Sequence, residues 1–123
     1  MITQGSEMPT FSTRLYGQVS TGHMTPKDDA ILRDAAKAEL ASALGGQSGP
    51  HPQMVCAYYG GYIVSCWHDP KEEVFFTQLK EMGHSPSYIN IIRIGMAQGL
   101  HCLQLDCDAD CCDWLPLHDW KDK

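Results

Sequence analysis

The sequence has no apolar run near the ~20 residues that a membrane-spanning helix requires, which leaves out an integral helical membrane protein. Its opening, Met1-Ile2-Thr3-Gln4-Gly5-Ser6-Glu7, carries neither a basic region nor an apolar stretch. It does not read as a secretory signal, and a cytoplasmic location is expected. Basic residues are few: nine Lys+Arg against fifteen Asp+Glu give a net charge of −6. A broad basic footprint for duplex nucleic acid is thereby excluded. Gly45-Gly46-Gln47-Ser48-Gly49 lacks the Lys and Ser/Thr that complete a P-loop, and no G-x-S-x-G elbow occurs. The histidines show neither H-x-x-x-H nor H-E-x-x-H spacing. Cys66 and His68 form the single strand-end thiol–imidazole pair, and positions two apart share a strand face without being forced into contact. At 123 residues the chain supports one core and cannot hold two catalytic domains.

What is present begins with six cysteines. Without a secretory signal they are expected to stay reduced. Tyr59-Gly60-Gly61-Tyr62 reads as a two-residue turn that pairs Cys56 with Ser65 and Val55 with Cys66. Directly paired residues share a face, so Cys56 and Cys66 point to opposite sides and cannot be bridged in that register. Both are expected to serve as small apolar strand residues.

Residues 1–10 lack periodicity and read as a mobile end; residues 11–123 read as one α+β domain. Phe11 to Ser20 alternates as a strand. Thr25-Pro26-Lys27-Asp28 starts a helix, with a capping threonine, a first-turn proline, and Asp28 and Asp29 at the positive end of the dipole. Ile31, Leu32, Ala35, Ala36, Leu40, Ala43 and Leu44 give it one apolar stripe, and Gly45-Gly46 ends it. A loop over 47–53 leads to a hairpin of Met54–Tyr59 and Tyr62–Trp67, apolar on both faces. Its second face places Tyr58 and Trp67 as candidates for a partner surface, with a covering loop or N-terminal arm as the alternative. Asp69-Pro70 opens a second helix that ends at Gly83, and Ser85-Pro86 opens a third that closes near Gly99. The isoleucines of the third are equally compatible with a strand. Leu100–Leu105 is the last strand, giving the order β-α-β-β-α-α-β. The expected fold is a two-layer α+β domain, with a small, mostly antiparallel four-stranded sheet and helices packed on one face.

The densest chemistry lies in Cys102–Asp113. Asp106, Asp108 and Asp110 begin like a calcium loop, yet its sixth and twelfth places hold Cys111 and Leu117, where glycine and a bidentate glutamate belong. A strand ending in D-x-D also resembles phosphoryl-transfer sites built on an aspartate nucleophile, but too little chain follows Asp106 to complete one. Cys102, Cys107, Cys111 and Cys112, with His101 and His118, offer enough ligands for zinc, although not at C-x₂-C spacing. The remaining reading is an acidic surface: residues 69–123 hold five Lys/Arg against ten Asp/Glu. Such a field steers association with a basic partner, or simply keeps the protein soluble.

Three segments together resemble a known group. Val19-Ser20-Thr21-Gly22-His23-Met24-Thr25-Pro26-Lys27-Asp28-Asp29 is similar to an S-T-x-H-[LM]-T-P-x-D helix start. Tyr58-Tyr59-Gly60-Gly61-Tyr62-Ile63-Val64 resembles its Y-x-Y-G-Y hairpin. Leu103-Gln104-Leu105-Asp106-Cys107-Asp108-Ala109, with Leu115-Pro116-Leu117-His118-Asp119-Trp120, resembles its closing L-x-L-D-x-D…L-P-x-x-D-W signature. The group is a domain-of-unknown-function family of small bacterial, plasmid and phage accessory proteins, and the likeness covers 19–120. The turn Asp110-Cys111-Cys112-Asp113-Trp114 departs from its usual single glycine. The resemblance implies a helix over 86–98 and a mobile-element context, and it assigns no activity.

Small size, acidity and the mobile-element likeness lead to the expectation of a non-enzymatic inhibitor of a host defence complex, of the anti-CRISPR kind. It would act without a cofactor, through Asp106, Asp108, Asp110, Asp113, Trp114, Tyr58 and Trp67, on a host protein or nucleoprotein with a basic surface. Neither duplex nucleic acid nor membrane is an expected partner, and a homodimer is compatible with the sequence. The alternative is a zinc- or cation-binding regulator or hydrolase using Asp106–Asp113.

Overall fold

The computed structural model describes residues 11–45, 51–66 and 72–120. The expectations for a mobile 1–10, for Trp67 and for the Asp69-Pro70 helix start lie outside them. Four strands, β1 (Tyr16–Ser20), β2 (Val55–Tyr58), β3 (Gly61–Ser65) and β4 (Cys102–Asp106), form one sheet in the order β1-β4-β3-β2. Three helices, α1 (Pro26–Gly45), α2 (Glu72–Glu81) and α3 (Pro86–Ala97), lie on one side of it. The expected α+β class, element order and mostly antiparallel sheet are all found. β1 runs parallel to β4 from Tyr16↔Cys102 to Ser20↔Asp106, while β3 is antiparallel to both β4 and β2. The first and last strands therefore end side by side, and the chain leaving each one meets the other.

Alternation sets the two faces. Val19, Val55, Tyr62, Val64, Leu103 and Leu105 point into the core, against Leu32, Leu79, Tyr88, Ile91 and Ile92 of the helices. At Gly95 an added Cβ would come within 3.0 Å of Cys66 Sγ and Leu103 Cδ1, so α3 rests directly on the sheet. The opposite face bears Gln18, Gln104, Asp106, Tyr58, Cys56 and Ile63. Cys56, Ile63 and Gln18 are exposed, whereas Tyr58, Gln104 and Asp106 are half-buried; the N-terminal arm expected as a possible cover lies outside the described residues.

Local chemistry explains the helix starts. Thr25 and Asp28 form a reciprocal cap: Asp28 N–H donates to Thr25 Oγ1 (3.2 Å) and Thr25 N–H to Asp28 Oδ2 (2.9 Å). Ser85 caps α3, accepting from Tyr88 N–H at 3.1 Å. Three expectations change. The first strand starts at Tyr16 rather than Phe11, because its partner β4 begins at Cys102; Phe11 and Leu15 are left exposed. The α1 stripe is buried at Leu32 and Ala35 but leaves the core by Leu40, which is 65% exposed. A helix of 20 residues runs ~30 Å, whereas a five-residue strand spans ~17 Å, so α1 overshoots the sheet. Finally, the hairpin turns at Tyr59-Gly60, pairing Cys56 with Ile63 and Val55 with Val64. That shift re-pairs every residue while leaving each on its expected face.

Candidate functional site

The strand ends of β1 and β4 carry the acidic segment, and two anchors hold it. At the first anchor, Asp106 closes β4 on the face away from the helices. Tyr58 O–H donates to its Oδ2 at 2.5 Å, Gln104 Nε2–H donates to Tyr58 Oη at 2.8 Å, and Asp108 N–H donates to Asp106 Oδ1 at 2.7 Å. These bonds, Tyr58 foremost, hold the Asp106 carboxyl below its ordinary pKa, so it is anionic. Desolvation, reinforced by the bond to Asp106, pushes the Tyr58 phenol up, so it remains the donor. Cys107 N–H donates to Gly60 O (2.9 Å), tying the loop to the hairpin tip.

The second anchor is His23, fully buried just after β1. Cys112 N–H donates to its Nε2 at 2.9 Å, which leaves the ring proton on Nδ1, where it is donated to Pro116 O at 2.8 Å. The tail continues across the same segment: His118 N–H donates to Gly22 O (2.9 Å) and Trp120 Nε1–H to Met24 O (3.0 Å). Residues 22–24 and 112–120, remote in sequence, thus meet in space.

Asp108 and Asp110 between the anchors, and Asp113 and Trp114 between the two His23-bound positions Cys112 and Pro116, face solvent, with Trp114 64% exposed. Among the described residues the only ion pairs are Arg33–Asp29 and His84–Asp28, so none of these three carboxylates is matched by a cation there. The predicted set therefore divides. Asp108, Asp110, Asp113 and Trp114 share one exposed loop. Tyr58 and Asp106 join to each other as a structural joint on the sheet face away from the helices. Trp114 instead edges a small pocket of about 110 Å³ with Gly17, Ile94, Leu100, Leu103 and Leu115.

For metals, ligand atoms of Asp106, Cys107 and Asp108 lie within 4.8 Å of one another. Both Asp106 oxygens also accept hydrogen bonds, as the carboxylate ligands of metal sites commonly do. The six zinc candidates are not gathered: no other metal-capable group exists among the described residues, and His118 Nε2 is engaged with Ser87 Oγ at 2.9 Å. All six cysteines are free thiols. Cys66 is fully buried, and burial, with a lesser push from Cys102, raises its thiol to about 12, so it is no nucleophile.

Histidines that look scattered in the sequence converge elsewhere. Gln53 N–H donates to His51 Nδ1 (3.0 Å), so the His51 proton sits on Nε2 and is donated to His84 Nε2 at 2.8 Å. His84 Nδ1–H then donates to Asp28 Oδ1 at 2.8 Å. Asp28 also accepts from Thr25 and from Ser85 N–H and Oγ–H, at 2.9 and 2.6 Å. Burial opposes its ionisation, but the bonds from His84, Ser85 and Thr25 outweigh it and hold Asp28 well below the carboxylate range. The relay resembles the Asp–His pairs that activate nucleophiles, yet every ring nitrogen is engaged and the residues are buried. It clamps loop 51–53 and the α2–α3 junction to α1. Only the T-P-K-D cap hinted at Asp28.

Comparison with curated proteins and with solved structures gave no match. The model of the family described as "Family of unknown function (DUF5983) C-terminal domain" matches residues 16–120, from the first residue of β1 to the tryptophan tied to Met24, and the chain belongs to that family.

Proposed function

We propose that this is a non-enzymatic binding protein, encoded by a phage or plasmid, that inhibits a host defence complex of the CRISPR type through its acidic loop. One observation carries the reading: an anchored loop presents Asp108, Asp110 and Asp113 to solvent, without a matching cation among the described residues, around an exposed indole. Rigid anchoring lowers the entropy lost on binding. Carboxylates speed encounter with a basic channel, and tryptophan is a frequent interface anchor. The partner is then a protein or nucleoprotein with a basic surface.

The test is a plasmid-interference assay in cells carrying a CRISPR effector. Co-expression of the protein should raise transformation by a targeted plasmid at least tenfold. Asp108→Asn/Asp110→Asn/Asp113→Asn should remove that protection while the variant stays folded. Full protection by the variant, or none by the wild type, overturns the reading. The cluster of Asp106, Cys107 and Asp108 favours a second reading, a divalent-cation regulator. Calorimetric titration with zinc or manganese decides it: stoichiometric binding abolished by Asp108→Asn supports the cation site and displaces the first reading.

A further inference from the structure

Beside the acidic loop, a groove of about 390 Å³ separates the hairpin tip from the first turns of α1. Thr21, Asp29, Arg33, Tyr59, Tyr62 and Trp120 line it. At Asp29, Tyr62 O–H donates to Oδ1 at 2.7 Å, and the Arg33 guanidinium donates to Oδ2. The two partners of this ion pair are held very differently. The Asp29 side chain is 15% exposed and is fixed by Tyr62, whereas that of Arg33 is 53% exposed. Burial pushes the Tyr62 phenol well up, so it stays protonated and keeps donating. Tyr59, at the turn, projects entirely into solvent.

We propose that this groove receives a basic side chain of the partner, a guanidinium or ammonium group, which displaces Arg33 from Asp29 and lies against Tyr59 and Trp120. The inference rests on the reading of a basic partner and adds where one of its cations is held. The chain's own Arg33 already displays the chemistry the groove accepts: a cation on a fixed carboxylate, among aromatic rings that attract cations. With its Arg33 end half exposed on a long side chain, a pair one helical turn apart exchanges readily at that end. The net charge of −6 favours an incoming cation over an anion.

Arg33 as an internal competitor gives a signature that few sites share. An acetyl-Gly-Arg-Gly-amide peptide titrated into the isotope-labelled protein should shift the amides of 29–33 and 59–62 and the Trp120 indole N–H. Arg33→Gln, which vacates the carboxylate, should tighten the apparent affinity about threefold or more. Asp29→Asn should weaken it at least tenfold. Loss of affinity, or no change, in Arg33→Gln overturns the inference, as does a shift pattern confined to 108–114. Arg33→Gln alters an exposed side chain, so the test does not depend on Asp29→Asn folding. Protamine separates the two readings. If it is lost from Asp108→Asn/Asp110→Asn/Asp113→Asn while Arg33→Gln and Asp29→Asn leave peptide binding unchanged, the acidic loop stands and the groove falls. If protamine still binds that loop variant and the groove pattern holds, the reverse follows.

Discussion

His51 ends a hydrogen-bond chain in which each proton has one place to go. Its Nδ1 faces the Gln53 N–H and its Nε2–H faces His84, so an added proton must break one of these bonds. Burial, the largest cause, and the neighbouring His84 lower the ring's pKa from 6.5 to about 4. Below pH ~6.5 the unfolded chain takes up a proton that the folded one refuses. Stability is therefore fully present above that pH and is lost as pH falls toward 4, by up to about 3 kcal/mol. Urea unfolding at pH 7, 5.5 and 4.5 should show this decline. His51→Gln should be less stable at pH 7 but flatter across the window, and an unchanged slope would remove His51 as the cause. None of this was legible along the chain, because His51 lies 33 positions from His84, and His84 56 from Asp28.

The elements divide by how local their causes are. Caps are local: Thr25-Pro26-Lys27-Asp28 and Ser85-Pro86 fix two helix starts within four residues, and both were readable. Register is not local. A two-residue turn at Gly60-Gly61 or at Tyr59-Gly60 gives the same faces, and the choice depends on β4. Gly61 lies so close to that strand that an added Cβ would stand 1.8 Å from Leu105 O. Only glycine fits there, so the turn must come one residue earlier. The acidic loop was readable from composition, whereas the bond from Tyr58 to Asp106 spans 48 residues and was not. Gly61→Ala should consequently separate the hairpin from β4, costing ~3 kcal/mol or more, in the range of severe backbone clashes. Gly60→Ala, facing the Tyr58 ring at 3.3 Å, should cost distinctly less. Thermal unfolding of the two variants checks the order, and equal losses would argue against this register.

At the scale of the whole molecule, structure and charge are interleaved along one tail. Cys112, Pro116, His118 and Trp120 are bound by His23, Gly22 and Met24, whereas the carboxylates at 108, 110 and 113 project outward. Trp120→Ala deletes a half-buried indole packed on the core, together with its bond to Met24 O. At ~25 cal/mol per Å² that is roughly 1–2 kcal/mol, or a Tm lower by several degrees. Asp108→Asn/Asp110→Asn/Asp113→Asn removes three negative charges from a protein of net charge −6 and breaks no ion pair among the described residues. Relief of self-repulsion should leave its Tm unchanged or slightly raised in low salt, and that gain should vanish near 1 M salt, where the Debye length is ~3 Å. Calorimetry at two salt concentrations measures both variants at once. A thermally silent Trp120→Ala beside a destabilised aspartate variant would reverse the two roles. The carboxylates would then be holding the turn together, and could not be the surface that a basic partner meets.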